Sequence, residues 1–333
     1  MTTSHDPIGT RTALVMGEAL VDVVEPASGA PSSHPGGSPA NVALGLARLG
    51  RDVELWTWLG RDDDGALVRQ HLEASGVRLT PGSRDADRTS VARARLDASG
   101  AATYEFDLAW DLHRAEEAEQ TEGADADDSR AGGPGAAPLV VHTGSIATVL
   151  EPGATRVAAE LAAHRATSTL TYDPNLRPQI MGSAERARPY VERLVALADV
   201  VKVSDEDLAW LEPGTDPLVV AARWAAAGPA LVVVTRGGDG AFARTSSGDT
   251  FDLPGRRVEV VDTVGAGDSF MSGLVDGLWT AGLLGADRRA ALHAADHATL
   301  ERVLQRCIEI GAITVSRAGA NPPWTAELTP PAA

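Results

Sequence analysis

The chain has 333 residues but only one cysteine, Cys307, and one lysine, Lys202. A single thiol excludes an intrachain disulfide and any zinc site built from cysteine pairs. The lone lysine lies in the apolar run Val200-Val201-Lys202-Val203 and follows no glycine-rich loop. That excludes the P-loop enzymes, whose lysine comes directly after such a loop to reach the β- and γ-phosphates. The lack of a His-Arg-Asp loop and of Asp-Phe-Gly argues against a protein kinase. Positive charge is scarce as well: 29 Lys and Arg against 46 Asp and Glu give a net charge of −17. Such a surface opposes nucleic acid or an anionic membrane as the main partner, although metal ions and local N–H groups would still let a nucleotide bind. No apolar run is long enough to span a bilayer, and Ala13–Met16 is too short for a signal-peptide core, so a cytoplasmic protein is expected. With 44% hydrophobic residues the chain can bury a sizeable core, best read as one large α/β domain with an appendage.

What is present is a β/α rhythm. Ala13–Gly17 reads as a buried first strand, and Ser38–Leu49 as a helix with Ser38 as cap, Pro39 at its first position and Gly50 as its stop. Val53–Leu59 reads as a strand and Ala66–Ala74 as a helix. Strand and helix then alternate again through Leu139–His142, Thr155–His164, Ser168–Tyr172, Ala184–Leu197, Val200–Val203 and Asp205–Leu211. Ala230–Thr235 is a β-branched strand, Ala241–Thr245 and Arg257–Val261 read as extended, and Phe270–Leu283 and Arg288–Val315 as helical. Such alternation predicts a parallel sheet covered by helices. It breaks at Thr89–Asp107, where a turn at Asp97-Ala98-Ser99-Gly100 predicts a hairpin. From pattern alone that hairpin is either a small sheet standing off the core or an edge of the main sheet. Residues 111–138, poor in apolar periodicity, read as a flexible acidic linker inside one domain spanning 11–330.

The densest chemical signal is Asp262-Thr263-Val264-Gly265-Ala266-Gly267-Asp268-Ser269-Phe270, which opens a helical run. Glycine-freed amides at a helix start can cradle negative oxygens, and Asp268 at the end of the cradle could take a proton from a hydroxyl attacking phosphorus. The plainer reading is a tight turn, with Asp268 favoured by the helix dipole. Gly36-Gly37-Ser38-Pro39-Ala40-Asn41 offers close backbone approach and an amide suited to hydroxyls, or else only a turn and a cap. Asp173-Pro174-Asn175-Leu176-Arg177, Ser204-Asp205-Glu206-Asp207 and Thr235–Gly240 each follow a strand, where ligands of open α/β sheets bind.

These stretches, in this order, resemble the ribokinase-like sugar kinases of the PfkB family, and within it the bacterial fructokinases. The likeness runs from about Leu14 to the terminal Arg317-Ala318-Gly319-Ala320-Asn321-Pro322-Pro323. It implies a three-layer α/β sandwich with a central, mostly parallel sheet and a small β lid, the lid strands lying within 18–36 and 88–110. It also implies transfer of the γ-phosphate of ATP to a sugar hydroxyl, with D-fructose as the expected acceptor. By position, Asp268 is the general base, with the amides of Gly265, Ala266 and Gly267 as anion hole. Asp22, Gly36, Gly37, Asn41 and Arg177 match sugar-binding positions. Ser204, Thr235, Gly237 and Gly240, together with Gly265 and Gly267, match nucleotide-binding ones. Asp207 stands where relatives carry a longer acid that organises Mg2+. Asp262 with carbonyls near Val264 and Gly319 resembles a site for a monovalent cation such as K+, and relatives pair through their lids as homodimers. Kinases of 2-keto-3-deoxygluconate share Asp-Pro-Asn-Leu-Arg, so that acidic sugar is the alternative, with Arg177 facing its carboxylate. A sugar-sensing protein on a retired kinase scaffold is an alternative of another class. A nicotinamide dehydrogenase is set aside, because Glu18-Ala19-Leu20 follows the first strand in place of a glycine fingerprint.

Overall fold

The computed structural model describes residues 11–97, 102–113 and 137–329, so nearly all of the expected acidic linker lies outside the described residues. The strands are β1 (Ala13–Met16), β2 (Leu20–Glu25), β3 (Ser32–Gly36), β4 (Val53–Trp56), β5 (Arg78–Leu79), β6 (Val91–Leu96), β7 (Ala102–Asp107), β8 (Val140–Gly144), β9 (Thr169–Asp173), β10 (Val200–Ser204), β11 (Leu231–Thr235), β12 (Ala241–Thr245) and β13 (Thr250–Leu253). The helices are α1 (Ser38–Arg48), α2 (Asp63–Glu73), α3 (Gly153–His164), α4 (Pro178–Met181), α5 (Ala184–Leu197), α6 (Asp205–Leu211), α7 (Pro217–Ala227), α8 (Ala266–Thr280), α9 (Arg289–His293) and α10 (His297–Val315).

Nine strands form the main sheet in the order β13-β12-β11-β10-β9-β8-β1-β4-β5, parallel except for the antiparallel pairs that β12 makes with β11 and β13. Strands buried on both faces need apolar side chains on both, and the valines of β11 show it. Leu231 and Val233 pack with Leu274 of α8 and Leu304 of α10, while Val232 and Val234 pack with Leu161 of α3 and Val191 of α5. Each such buried side chain contributes roughly 1.5–3 kcal/mol, which makes this sheet the rigid base of the molecule. Among the described residues no helix is long and apolar enough to cross a membrane.

The hairpin question resolves toward a separate sheet. β6 and β7 pair with each other, β6 lies parallel to β2, and β3 closes the far edge, giving a four-stranded sheet in the order β3-β2-β6-β7. β2 follows β1 after only three residues, so this lid grows directly from the central strands.

Several local expectations are corrected. Arg257–Val261 forms no strand: Val258, Val260 and Val261 stand 38%, 59% and 61% exposed, and β13 takes the sheet edge in its place. The run Arg288–Val315 breaks in two because the Asp296 side chain accepts from Thr299 N at 2.9 Å and starts a new helix. Helix α7 goes unpredicted, although Asp216 as cap and Pro217 at its first position announce it. Gly37, rather than Ser38, holds the cap position of α1, which leaves the Ser38 hydroxyl available for another partner.

Candidate active site

The parallel strands end together, with Gly144 beside Asp173 and Ser204 beside Thr235, so their following loops share one crest. Helix α8 begins on that crest. Gly265 makes its entry possible: it sits at φ 74°, and a side chain there would meet Ala320 Cβ at 2.6 Å. Asp268 follows in the first turn, only 6% exposed. A buried carboxylate needs hydrogen-bond partners, and three side chains supply them. Ser38 Oγ donates to Oδ1 at 2.7 Å, Asn41 Nδ2 to Oδ2 at 2.8 Å, and Asn175 Nδ2 to Oδ1 at 3.3 Å. Ser38 and Asn41 lie one turn apart on α1 and so present the same face. Asn175 is brought round by a left-handed backbone, φ 38°, a conformation that asparagine tolerates better than most residues.

Of the three expected amides, that of Ala266 donates to Thr263 O at 3.3 Å and closes the turn. Those of Gly265 and Gly267 have no backbone partner among the described residues and are left to receive anionic oxygen. Asp268 lies on the wall of a cavity of about 670 Å3 between core and lid, lined by Asn41 and Asn175 below and by Ala92 and Phe106 of the lid.

The expected sugar-binding residues gather here in part. Asp22, Gly37, Asn41 and Arg177 line the cavity. Gly36 does not, but its missing side chain leaves room for the Asp22 carboxylate, whose Oδ2 a Cβ there would strike. Burial raises the pKa of Asp22, offset by the charges of Arg177 and His34. Arg177 spends Nη1 on its own loop, donating to Asn175 Oδ1 at 2.7 Å and to Leu176 O at 3.0 Å. Glu18, not singled out from the sequence, also lines the cavity and accepts from Ala147 N at 3.1 Å. Burial pushes its carboxyl up to about 7. Asn175 and Ser38 were named only as parts of a loop and a helix cap. Their partner Asp268 lies 93 and 230 residues away, a separation that no local pattern reports.

Of the nucleotide-binding candidates, Gly265 and Gly267 line this cavity, whereas Ser204, Thr235, Gly237 and Gly240 stand outside it. Ser204 caps α6 by accepting from Asp207 N at 3.0 Å, and Thr235 lies next to it in register. In the following loop Gly240 O accepts from Arg236 N at 2.8 Å, and Gly240 N donates to Gly237 O at 3.2 Å. That loop abuts Gly255, from which the segment carrying the exposed valines leads to Gly265.

Asp207 is engaged internally: Oδ1 accepts from Leu176 N at 2.9 Å and Oδ2 from Ser204 N at 3.3 Å. Among the described residues no three His, Cys, Asp or Glu side chains gather as a metal site. Asp262 ties two loops, accepting from Val264 N at 3.0 Å and from Gly319 N at 2.8 Å, and these N–H groups lower its pKa. A carboxylate between those loops is an oxygen donor of the kind that hard cations take.

A carboxylate beside open amides at a helix start, on a hooded cavity at the carboxyl ends of a parallel sheet, defines a kinase of small molecules. Residues 11–327 match the pfkB family of carbohydrate kinases, and the chain belongs to that family. It is 36% identical over 282 residues to a fructokinase of Klebsiella pneumoniae, a match covering 84% of this chain and 87% of the other. Among solved structures, a double mutant of Vibrio cholerae fructokinase with fructose, ADP and potassium ion bound superposes with a TM-score of 0.72 at 26% identity, covering 93% of this chain and 94% of that one. Aminoimidazole riboside kinase of Salmonella enterica, with aminoimidazole riboside and an ATP analogue, superposes at 0.70 and 26%, covering 93% and 95%.

Proposed function

We propose that this chain is an ATP-dependent fructokinase, transferring the γ-phosphoryl group of ATP to a hydroxyl of D-fructose. One observation carries the reading: a carboxylate aligned by Ser38, Asn41 and Asn175 beside the open amides of α8. Asp268 takes the acceptor's proton while the sugar oxygen bonds to phosphorus and the bond to the ADP oxygen breaks. Charge on the transferring group meets the amides of Gly265 and Gly267, reinforced by the helix dipole. A loose phosphoryl transition state asks for placement and charge neutralisation more than for a strong base, and this site is organised for both.

The acceptor lies between Asp22 and Asn41, with the lid keeping water out. The adenosine end lies across Ser204 and the Thr235–Gly240 loop, with the exposed valines before Gly265 as its apolar wall. Magnesium, when bound, would supply charge neutralisation for the phosphates. Asp207 would be the residue to help hold it, with both its oxygens already accepting from backbone amides. Asp262, with carbonyls near Val264 and Gly319, would hold K+. The cytoplasm as location and a homodimer through the lid belong to the same reading, and light scattering on the purified protein tests the pairing. Fructose is preferred over 2-keto-3-deoxygluconate because Arg177, although it lines the cavity, commits Nη1 to three oxygens of its own loop, which weakens it as a carboxylate clamp.

Steady-state kinetics with fructose, 2-keto-3-deoxygluconate, ribose, adenosine and aminoimidazole riboside, each with ATP and magnesium, test the assignment. The highest kcat/KM should fall on fructose. A better value for any other acceptor moves the specificity, and no turnover with any of them favours the retired, sugar-sensing scaffold.

A further inference from the structure

Lys202 is the one lysine among 29 basic Lys and Arg residues, and it is buried in the middle of the main sheet with a side chain 3% exposed. Its Nζ lies 2.7 Å from Oδ2 of Asp173 on the neighbouring strand, a carboxylate with no exposure at all. The second neighbour of the ammonium is α8 itself, because a Cβ built on Gly267 would lie 2.9 Å from Nζ. Two residues after Asp173 comes Asn175, which donates to Asp268. One ammonium therefore touches both pieces of chain that bear on the proposed base: the loop after β9 and the first turn of α8. Other charges face the pair from neighbouring elements. Asp207 of α6 and Asp268 of α8 raise Asp173, whose carboxyl is pushed up to about 6, mainly by burial. His142 of β8 is held down to about 3 by burial and by Lys202, and so adds no positive charge. Neither carboxylate oxygen of Asp173 has a well-aligned hydrogen bond among the described residues, which leaves the ion pair with the ammonium as this carboxylate's main anchor.

We propose that Lys202 is a positioning residue for phosphoryl transfer: clasped by Asp173 and seated under Gly267, it fixes the spacing between the Asn175 loop and the start of α8. That spacing sets where Asp268 and the Gly267 amide stand relative to the group in flight. The proposal deepens the reading of Asp268 as base and rests on it. It also accounts for a lysine in a chain that otherwise uses arginine, since a long planar guanidinium does not fit a compact slot beneath a helix start. A lysine that merely compensated the charge of Asp173 would be dispensable once Asp173 was neutral too.

The test uses Lys202→Met, Asp173→Asn, the double variant and Gly267→Ala, with melting temperature, kcat and both KM values measured for each. Lys202→Met should lower kcat by about 10–100-fold, the usual cost of misplacing reacting groups by an ångström. Both KM values should stay within about threefold, as expected when an interaction matters only in the transition state. The double variant should regain the melting temperature but not kcat. Gly267→Ala, whose methyl crowds the ammonium as well as the amide facing the phosphate, should lose kcat while staying folded, and the double variant carries the test should Lys202→Met fail to fold. In the wild type kcat should fall as pH drops through about 6, where Asp173 takes a proton and releases the ammonium, and Asp173→Asn should lack that limb. Wild-type kcat in the double variant, or in Lys202→Met, overturns the proposal. Asp268→Asn is measured alongside. Turnover in that variant brings down the base itself, whereas a dead Asp268→Asn beside a fully active double variant removes only Lys202.

Discussion

On the acceptor side of Asp268, positions are set by side chains that bond one another across 227 and 230 residues of sequence. On the proposed nucleotide side, the loop Thr235–Gly240 closes on itself through backbone bonds, and the approach to Gly265 is a strip of exposed valines. The two halves of one crest thus use different means. The first can discriminate between acceptors, because a wrong hydroxyl pattern leaves buried polar groups unpaired. The second offers shape and apolar surface, which suit a cosubstrate recognised mainly by its phosphates and base.

Substitutions can break that contrast in order of severity. Asp268→Asn serves both halves at once and should cost about 10³-fold or more in kcat, in line with loss of a general base, while calorimetry still detects acceptor and ATP binding. Comparable turnover would remove the carboxylate from the chemistry. Ser38→Ala deletes one of the bonds that align it and should lower kcat by about 10–100-fold, the worth of a hydrogen bond to a charged group. An unchanged kcat would mean that the acceptor side is less interdependent than its geometry. On the other half, Val261→Asp places a charge on the apolar strip and should raise the KM for ATP by about fivefold with the acceptor's KM unmoved, a loss confined to ground-state binding. Equal rises in both KM values would blur the division.

The smallest effect concerns Glu18. Its carboxyl titrates near 7 when folded against 4.5 as the ordinary value, so the folded protein holds the proton more tightly. The stability this contributes is complete below about pH 4.5 and is lost as pH rises through about 7. Glu18→Gln keeps an acceptor for Ala147 N without the charge. Its melting temperature should exceed the wild type's at pH 8 and approach it at pH 5, and equal pH dependence in the two would contradict the burial cost.

The sheet was legible because its strands are β-branched and buried on both faces, and the helix start at Gly265–Asp268 because a glycine pair ahead of an apolar run marks one, though the same pair would serve a plain turn. The fate of Arg257–Val261 was not legible. Alternating valines look the same whether they pair with a neighbouring strand or stand 59% and 61% exposed outside any sheet. Ser38 was misread for a related reason: a serine before a helix is most often its cap, and only the arrival of α8 shows that its hydroxyl has a distant partner. Glu18 and Asn175 carry no local signature, since their roles depend on which loops the sheet order brings together.

The burial of the lone lysine also gives the molecule an internal gauge of its own integrity. A lysine-specific endoprotease has only the Lys202–Val203 peptide bond to cut, and that bond lies in a strand held between β9 and β11. Scission into two fragments therefore clocks how often the centre of the sheet comes apart, with no surface site to obscure the count.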